Sequence, residues 1–215
     1  MKYIIMCGGT YERWAEPKHL SKINGETIVE RTIRLLRENG VEDIAISSND
    51  PRFDGFGVER LTHENPYTLP VMGAAATPWL DAFYPMDEPV CYVFGDVVFS
   101  PAAIKKIVET ETDDIEFFGS AKPLAPEYPK RWAEPFAYKV VNLDHFHKAI
   151  EETKRLDEMG LFKRQPVSWE LWQVIKKTPL NKVIYTNYTA INDYSCDIDK
   201  PDDIELFERI IGAEQ

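Results

Sequence analysis

The stretch MKYIIMCGGTYERWAEPK, residues 1–18, decides how the rest of the chain is read. Tyr3, Ile4, Ile5 and Met6 form a short apolar run that reads as a buried strand, and it breaks at Gly8 and Gly9. Two adjacent glycines after a strand remove side chains where the backbone approaches a ligand, and their N–H groups can face phosphate oxygens. Arg13 can fork onto phosphate, and Lys18, after Pro17, supplies a point charge. On the residues alone two readings stand. One is a nucleoside triphosphate held over the end of the first strand. The other is a tight strand-to-loop turn carrying surface cations.

Working outward, Ile28, Ile33, Leu35 and Leu36 predict a helix from about Thr27 to Asn39, with Gly40 as its stop. Residues 41–47 read as a second strand that ends in the polar run Ser47 to Asp50. Strand, glycine loop, helix and strand make a βαβ start, which predicts a parallel sheet. Ligands bind beyond the carboxyl ends of such strands, so Gly8 and Asn49 should face one crevice. Residues 70–83 read as a helix bent at Pro78.

Residues 89–95 (PVCYVFG) read as a central strand, apolar on both faces. The carboxylate that follows, Asp96, can hold Mg²⁺ in the crevice or simply close a turn. A helix over 100–110 and a strand over 115–120 come next. Residues 121–135 carry Pro123, Pro126, Pro129 and Pro135 and read as a loop that covers an acceptor. A strand over 136–141 leads to a helix from His145 to Met159, capped by Asp144. Another helix runs from Trp169 to Lys177, capped by Ser168, and residues 182–190 supply one or two strands.

The tail carries Asp197 and Asp199, which point the same way on an extended segment. Two carboxylates on one face are costly without a cation between them. Pro201 then opens a helix with Asp202 and Asp203 in its first turn and Ile204, Phe207, Ile210 and Ile211 on its apolar side.

The chain has 215 residues, enough for one domain with a sizeable core. Its net charge of −11 argues against nucleic acid or an anionic membrane as partner. No apolar run is long enough to span a bilayer, and Met1 runs almost directly into a strand with no cleavage pattern. Cys7, Cys91 and Cys196 are widely spaced and read as reduced, buried thiols, which places the expected compartment in the cytoplasm.

The opening motif resembles that of the nucleotidyltransferases, the GT-A-like enzymes that make nucleotide-activated sugars and phospho-alcohols. Cys7, Gly8, Gly9, Arg13, Pro17 and Lys18 fall in register, while Tyr11 stands where the family has its last glycine. Gly95-Asp96 is similar to the family's metal site. The tail from Asp197 to Ile204 looks like that of the cytidylyltransferases that activate acidic sugars. The resemblance implies a three-layer α/β fold, with a mostly parallel, Rossmann-like sheet and helices on both faces. It implies one domain over residues 1–215, with an acceptor-binding excursion around 121–190.

By the same resemblance, Arg13, Lys18 and Asp96 are catalytic. Cys7, Gly8, Gly9, Thr10, Arg13, Lys18, Asn49, Gly73, Ala74 and Asp96 bind nucleotide. Asp96, Asp197 and Asp199 hold Mg²⁺. Arg131, Glu134, Tyr138, Lys163 and Glu170 are the residues assigned to the acceptor. The expected reaction transfers a nucleoside monophosphate, with CTP the favoured donor, to a sugar, sugar phosphate or phospho-alcohol, and homodimerisation is left open. A GT-A glycosyltransferase is the alternative, but Gly95-Asp96-Val97-Val98 lacks the Asp-x-Asp pattern expected of it. A non-catalytic nucleotide-binding module and a molybdopterin-type guanylyltransferase are the others.

Overall fold

The apolar run at the N-terminus is strand β1 (Lys2–Met6), seen in a computed structural model that describes residues 1–8, 14, 16–62, 79–121 and 133–213. A small hairpin, β2 (Lys22–Ile23) with β3 (Glu26–Thr27), leads into α1 (Ile28–Glu38). A reciprocal pair starts that helix: Glu30 N donates to Thr27 Oγ1 at 3.1 Å, and Thr27 N donates to Glu30 Oε2 at 2.8 Å. Gly40 ends it at φ +79°, a conformation glycine reaches without steric cost. Then come β4 (Ile44–Ser47), β5 (Glu59–Leu61), β6 (Val90–Phe94) and a short β7 (Val97–Val98). Helix α2 (Pro101–Glu109) opens at Ser100, whose Oγ accepts from Ala103 N at 2.9 Å. The chain closes with β8 (Ile115–Ser120), β9 (Glu134–Val140), α3 (Leu143–Glu158), α4 (Ser168–Ile175), β10 (Thr189–Ala190), β11 (Cys196–Asp197) and α5 (Asp202–Gly212).

Seven strands form one sheet in the order β10-β8-β9-β6-β1-β4-β5. Within it β9 runs antiparallel to both neighbours and the other pairs are parallel, so the sheet is mostly parallel as expected. Strand β1 lies between β4 and β6, with Met6 opposite Ser47 on one side and Phe94 on the other. The carboxyl ends of three central strands therefore share one rim, and the strand order switches beside β1. That is the place where open α/β sheets bind ligands.

Consecutive residues of β9 identify the two outer layers. Tyr138 packs on Phe146 of α3, with ring centroids 5.6 Å apart, and its hydroxyl donates to Ser168 O at the start of α4 at 2.6 Å. Lys139 emerges on the opposite face and donates to Val108 O and Thr110 O, at the end of α2, at 3.0 and 2.7 Å. Helix α1 packs beside α2 and α3 beside α4, so helices cover both faces. A second, smaller core lies apart from the main one. It gathers Ile23, Ile28, Val98, Tyr194, Cys196, Ile198, Phe207 and Ile211, with Trp14 against it.

Three local expectations change, and a fourth is narrowed. Asn142, not Asp144, caps α3: its Oδ1 accepts from His145 N at 3.1 Å, and Asp144 instead pairs with Lys148 one turn on at 2.6 Å. Ser168 is already inside α4, and the cap there is Glu170, whose Oε2 accepts from Val167 N at 3.1 Å. Between 182 and 190 the one or two expected strands resolve to one, Thr189–Ala190. The side chain of Gln173 takes the backbone groups that a longer strand would use, donating to Lys182 O at 3.0 Å and accepting from Ile184 N at 3.3 Å. Of the helix expected over 70–83, the described part is a single 3-10 turn, Leu80–Ala82. The rest of the stretch expected to be helical, residues 70–78, lies outside the described residues.

Candidate active site

The site is built at the rim from the first residues past β1, β4 and β6. Cys7 N donates to Ser47 O at 2.9 Å and Gly95 N to Met6 O at 3.0 Å, which sews the three strand ends together. Cys7 is fully buried, and burial, then the nearby Asp96 charge, push its thiol well above the ordinary range. It packs as a small apolar group rather than meeting a ligand. Gly8 and Asn49 are exposed on the same rim, as the βαβ reading required. Gly95 is a glycine because of crowding: a Cβ there would lie 2.5 Å from Met6 O and 2.6 Å from Cys7 Sγ. Gly9, Thr10, Tyr11, Arg13, Gly73, Ala74 and Arg131 lie outside the described residues.

Lys18 opens a 3-10 turn, Lys18–Leu20, after Pro17. Its Nζ lies 2.6 Å from Asp96 Oδ2 and donates to Ile198 O at 3.0 Å. Burial opposes its charge, but the pair with Asp96, reinforced by the charges of Asp197 and Asp199, outweighs that and raises its pKa. Asp96 mirrors it: burial favours the neutral acid, yet the Lys18 ammonium and then His19 hold the carboxyl below its usual range. His19, beneath this pair, is 2 % exposed and burial pushes it down to about 4. Its ring meets the edge of Phe53 at 5.9 Å.

The tail returns beside Asp96. Strand β11 runs antiparallel to β7 with Asp197 opposite Val97, and Ile198 N donates to Asp96 O at 3.0 Å. Asp199 follows the end of β11, where Asp203 Oδ2 accepts from Asp199 N at 2.9 Å and from Lys200 N at 3.1 Å. Asp203, 3 % exposed, thus staples the turn into α5, matching its reading as a helix-start residue. The structure brings Lys18, Asp96, Asp197 and Asp199 into one electrostatic neighbourhood, although 180 residues separate Lys18 from Ile198.

Among the described residues, one group of three acidic or thiol side chains has its donor atoms within 4.8 Å of one another: Glu134, Cys196 and Asp197. Glu134 was an acceptor residue in the sequence reading, and its place at the start of β9 sets it against Asp197. Cys196 was read only as a buried apolar group, and its thiol in fact lies 3.5 Å from Asp197 Oδ1. Its one sequence cue was adjacency to Asp197.

Two acceptor assignments are corrected. Tyr138 is fully buried, stacked 4.6 Å from Phe117 and hydrogen-bonded to Ser168 O, so it cannot touch a substrate. Glu170 is 2 % exposed and is used by Val167 N and by Arg164, whose Nε lies 2.6 Å from its Oε1. Both are framework residues: Tyr138 joins β9 to α4, and Glu170 ties the start of α4 to the segment before it. Lys163 is exposed in the connection between α3 and α4.

Residues 3–166 match the family described as MobA-like NTP transferase domain. The chain belongs to this family. It is therefore a nucleotidyltransferase, and the glycosyltransferase and non-catalytic alternatives fall away. Solved structures repeat the fold over nearly the whole transferase. The inositol-1-phosphate CTP transferase of T. maritima has 17 % identity and a TM-score of 0.55, covering 97 % of this chain and 95 % of that one. A putative glucose-1-phosphate thymidylyltransferase from Bacillus anthracis, in complex with a sucrose, has 15 % identity and a TM-score of 0.58, covering 97 % and 94 %. HddC from Yersinia pseudotuberculosis, complexed with GMP-PN, has 17 % identity and a TM-score of 0.54, covering 98 % and 99 %. At such identities the likeness is one of fold. No curated protein matches the transferase. No helix among the described residues is long and apolar enough to cross a membrane.

Proposed function

We propose that this transferase moves a nucleoside monophosphate, CMP in preference, from a triphosphate to a small phosphorylated or hydroxylated acceptor such as a sugar phosphate or phospho-alcohol. An acceptor oxygen attacks the α-phosphorus in line, the bond from the α-phosphorus to the bridging oxygen breaks, and pyrophosphate leaves. The observation that carries this reading is the Lys18 ammonium held at the rim by Asp96, with Asp197 and Asp199 beside it. Lys18 pairs with Asp96, and the charges of Asp197 and Asp199 also act on it, so this anionic neighbourhood of oxygen donors suits a hard divalent ion. Mg²⁺ bound there would neutralise charge on the reacting phosphates.

Asp96 and Asp197 are the ligands of choice, because their backbones are joined at Ile198 and both offer oxygen. Asp199 stands as the further carboxylate. The thiol of Cys196 does not suit Mg²⁺. Lys18 stays charged throughout the neutral range and stabilises the leaving pyrophosphate, and in this proposal Arg13 has the role of gripping the triphosphate. Nucleotide binding is assigned in the same proposal to Gly8, Gly9 and Thr10 for the phosphates and to Asn49, Gly73 and Ala74 for the nucleoside. In this reading one domain spans the chain, and residues around 121–190 receive the acceptor, with Glu134, Arg131 and Lys163 as its contacts. The compartment is cytoplasmic, and a homodimer remains compatible.

The test is a thermal-shift panel with Mg²⁺ and each of CTP, UTP, GTP, ATP, dTTP and UDP-glucose, followed by pyrophosphate release with an acceptor panel. A ligand that binds only the folded state raises its stability by mass action. CTP alone should raise the melting temperature and then support release. A selective shift with GTP would keep the reaction and replace the donor, as a guanylyltransferase reading requires. A shift with UDP-glucose and with no triphosphate would overturn the proposal.

A further inference from the structure

Asp197 does not sit on the seven-stranded sheet. Its strand β11 has two residues and pairs with the two-residue β7. So short a ladder is a weak mount for a carboxylate that has to meet Asp96 across a bound ion, since such groups work only when a supporting shell fixes them. The support comes from Arg31, the fourth residue of α1 and 9 % exposed. Its Nε donates to Phe99 O at 3.0 Å, directly after β7, and its Nη2 donates to the Tyr194 hydroxyl at 2.9 Å, two residues before β11.

Both partners of this guanidinium are neutral oxygens. Burying a cation without a carboxylate is a poor source of stability, and an apolar side chain would fill the same space at lower cost. What only the rigid guanidinium fork supplies is a simultaneous grip on two chain segments. A second tie runs parallel to it: Ser100 N donates to Ser195 Oγ at 2.9 Å, and Ser100 Oγ donates to Asp193 Oδ2 at 2.5 Å. The Tyr194 ring also packs in the small core with Cys196 and Ile198, the residues on either side of Asp197.

We infer that Arg31 is a positioning residue for the metal-binding carboxylates: through Tyr194 it sets Asp197 against Asp96. This rests on the metal reading above. Tyr194→Phe removes the hydroxyl and leaves the ring in its cluster, and Ser195→Ala loosens the parallel tie if that variant does not fold. Mn²⁺ binding is measured by loss of the free-ion EPR signal, with the α,β-methylene analogue of the triphosphate that gave the largest thermal shift. Binding of the same analogue is measured again in EDTA.

Loss of one hydrogen bond to a charged group should weaken Mn²⁺ binding by about tenfold or more. Binding of the analogue in EDTA should not change. A merely structural role would weaken both together, and that result overturns the inference. So does unchanged Mn²⁺ binding in a folded variant when the wild type binds the ion. A wild type that binds no Mn²⁺ overturns the metal reading first and this inference with it.

Discussion

Replacing Gly95 by Ala tests the geometry of the rim directly. The added Cβ would lie 2.5 Å from Met6 O, 2.6 Å from Cys7 Sγ and 3.1 Å from His19 Cδ2. The first of these is backbone, pinned by the bond it accepts from Gly95 N at 3.0 Å, and it must retreat by about 1 Å to reach ordinary contact distance. Overpacking of this kind costs about 1–3 kcal/mol. For a chain of this length that lowers Tm by roughly 3–10 °C. Gly8→Ala is the control, since a Cβ there meets nothing within 4 Å. Its Tm should move by no more than about 1–2 °C.

The two variants should separate again on ligand. If the proposed triphosphate site is right, Gly8→Ala keeps its stability but loses the thermal shift with triphosphate, because Gly8 is exposed at the rim assigned to the phosphates. Both Tm values come from circular dichroism melts, checked by urea denaturation at constant m-value. Equal Tm for Gly95→Ala and Gly8→Ala would refute the crowding argument and with it the close packing of Asp96 against β1.

Three further outcomes are expected. Asp96→Asn should abolish pyrophosphate release while far-UV dichroism stays native, and near-normal turnover with Mg²⁺ would sink the mechanism. His19 is lowered from 6.5 to about 4 by burial, so between those values the unfolded chain binds a proton that the folded chain refuses. Stability of the metal-free protein is then full above about pH 6.5 and falls by roughly 3 kcal/mol as the pH drops to 4. His19→Asn should flatten that slope in urea titrations at several pH values, and an unaltered slope would contradict it. Tyr138→Phe should cost about 1 kcal/mol by removing the bond to Ser168 O, with acceptor KM unchanged in steady-state assays. A raised KM would return Tyr138 to the acceptor site.

Much of the fold was legible because its signals are local. The run Tyr3–Met6, the Thr27 and Gly40 boundaries of α1 and the apolar run before Gly95 each carry their own period or stop residue, and each appears within a few residues of its expected place. Errors arose where side chains compete for backbone groups. Asn142 and Asp144 are equally good caps by residue type, and only packing chooses between them. Gln173 likewise decides between the one and two strands left open over 182–190, because it takes backbone groups of residues 182–184 from a distance in sequence. Tyr138 and Glu170 looked like substrate contacts because residue type does not report burial; both are turned inward, Tyr138 onto the start of α4 and Glu170 onto Val167 and Arg164.

The sequence by itself determined the class of the protein: a strand, a paired glycine and a cation at a rim, a carboxylate after a central strand, and an acidic tail. These are short motifs whose chemistry is carried by neighbours in the chain. The tertiary structure alone decided how the two ends meet. Lys18 reaches Asp96 and Ile198, Asp197 comes to lie opposite Val97, Glu134 joins Cys196 and Asp197, and Arg31 ties Phe99 to Tyr194. Those contacts depend on a small second core and on a two-residue ladder. Both are products of packing between distant segments, and periodicity along one segment carries no information about them.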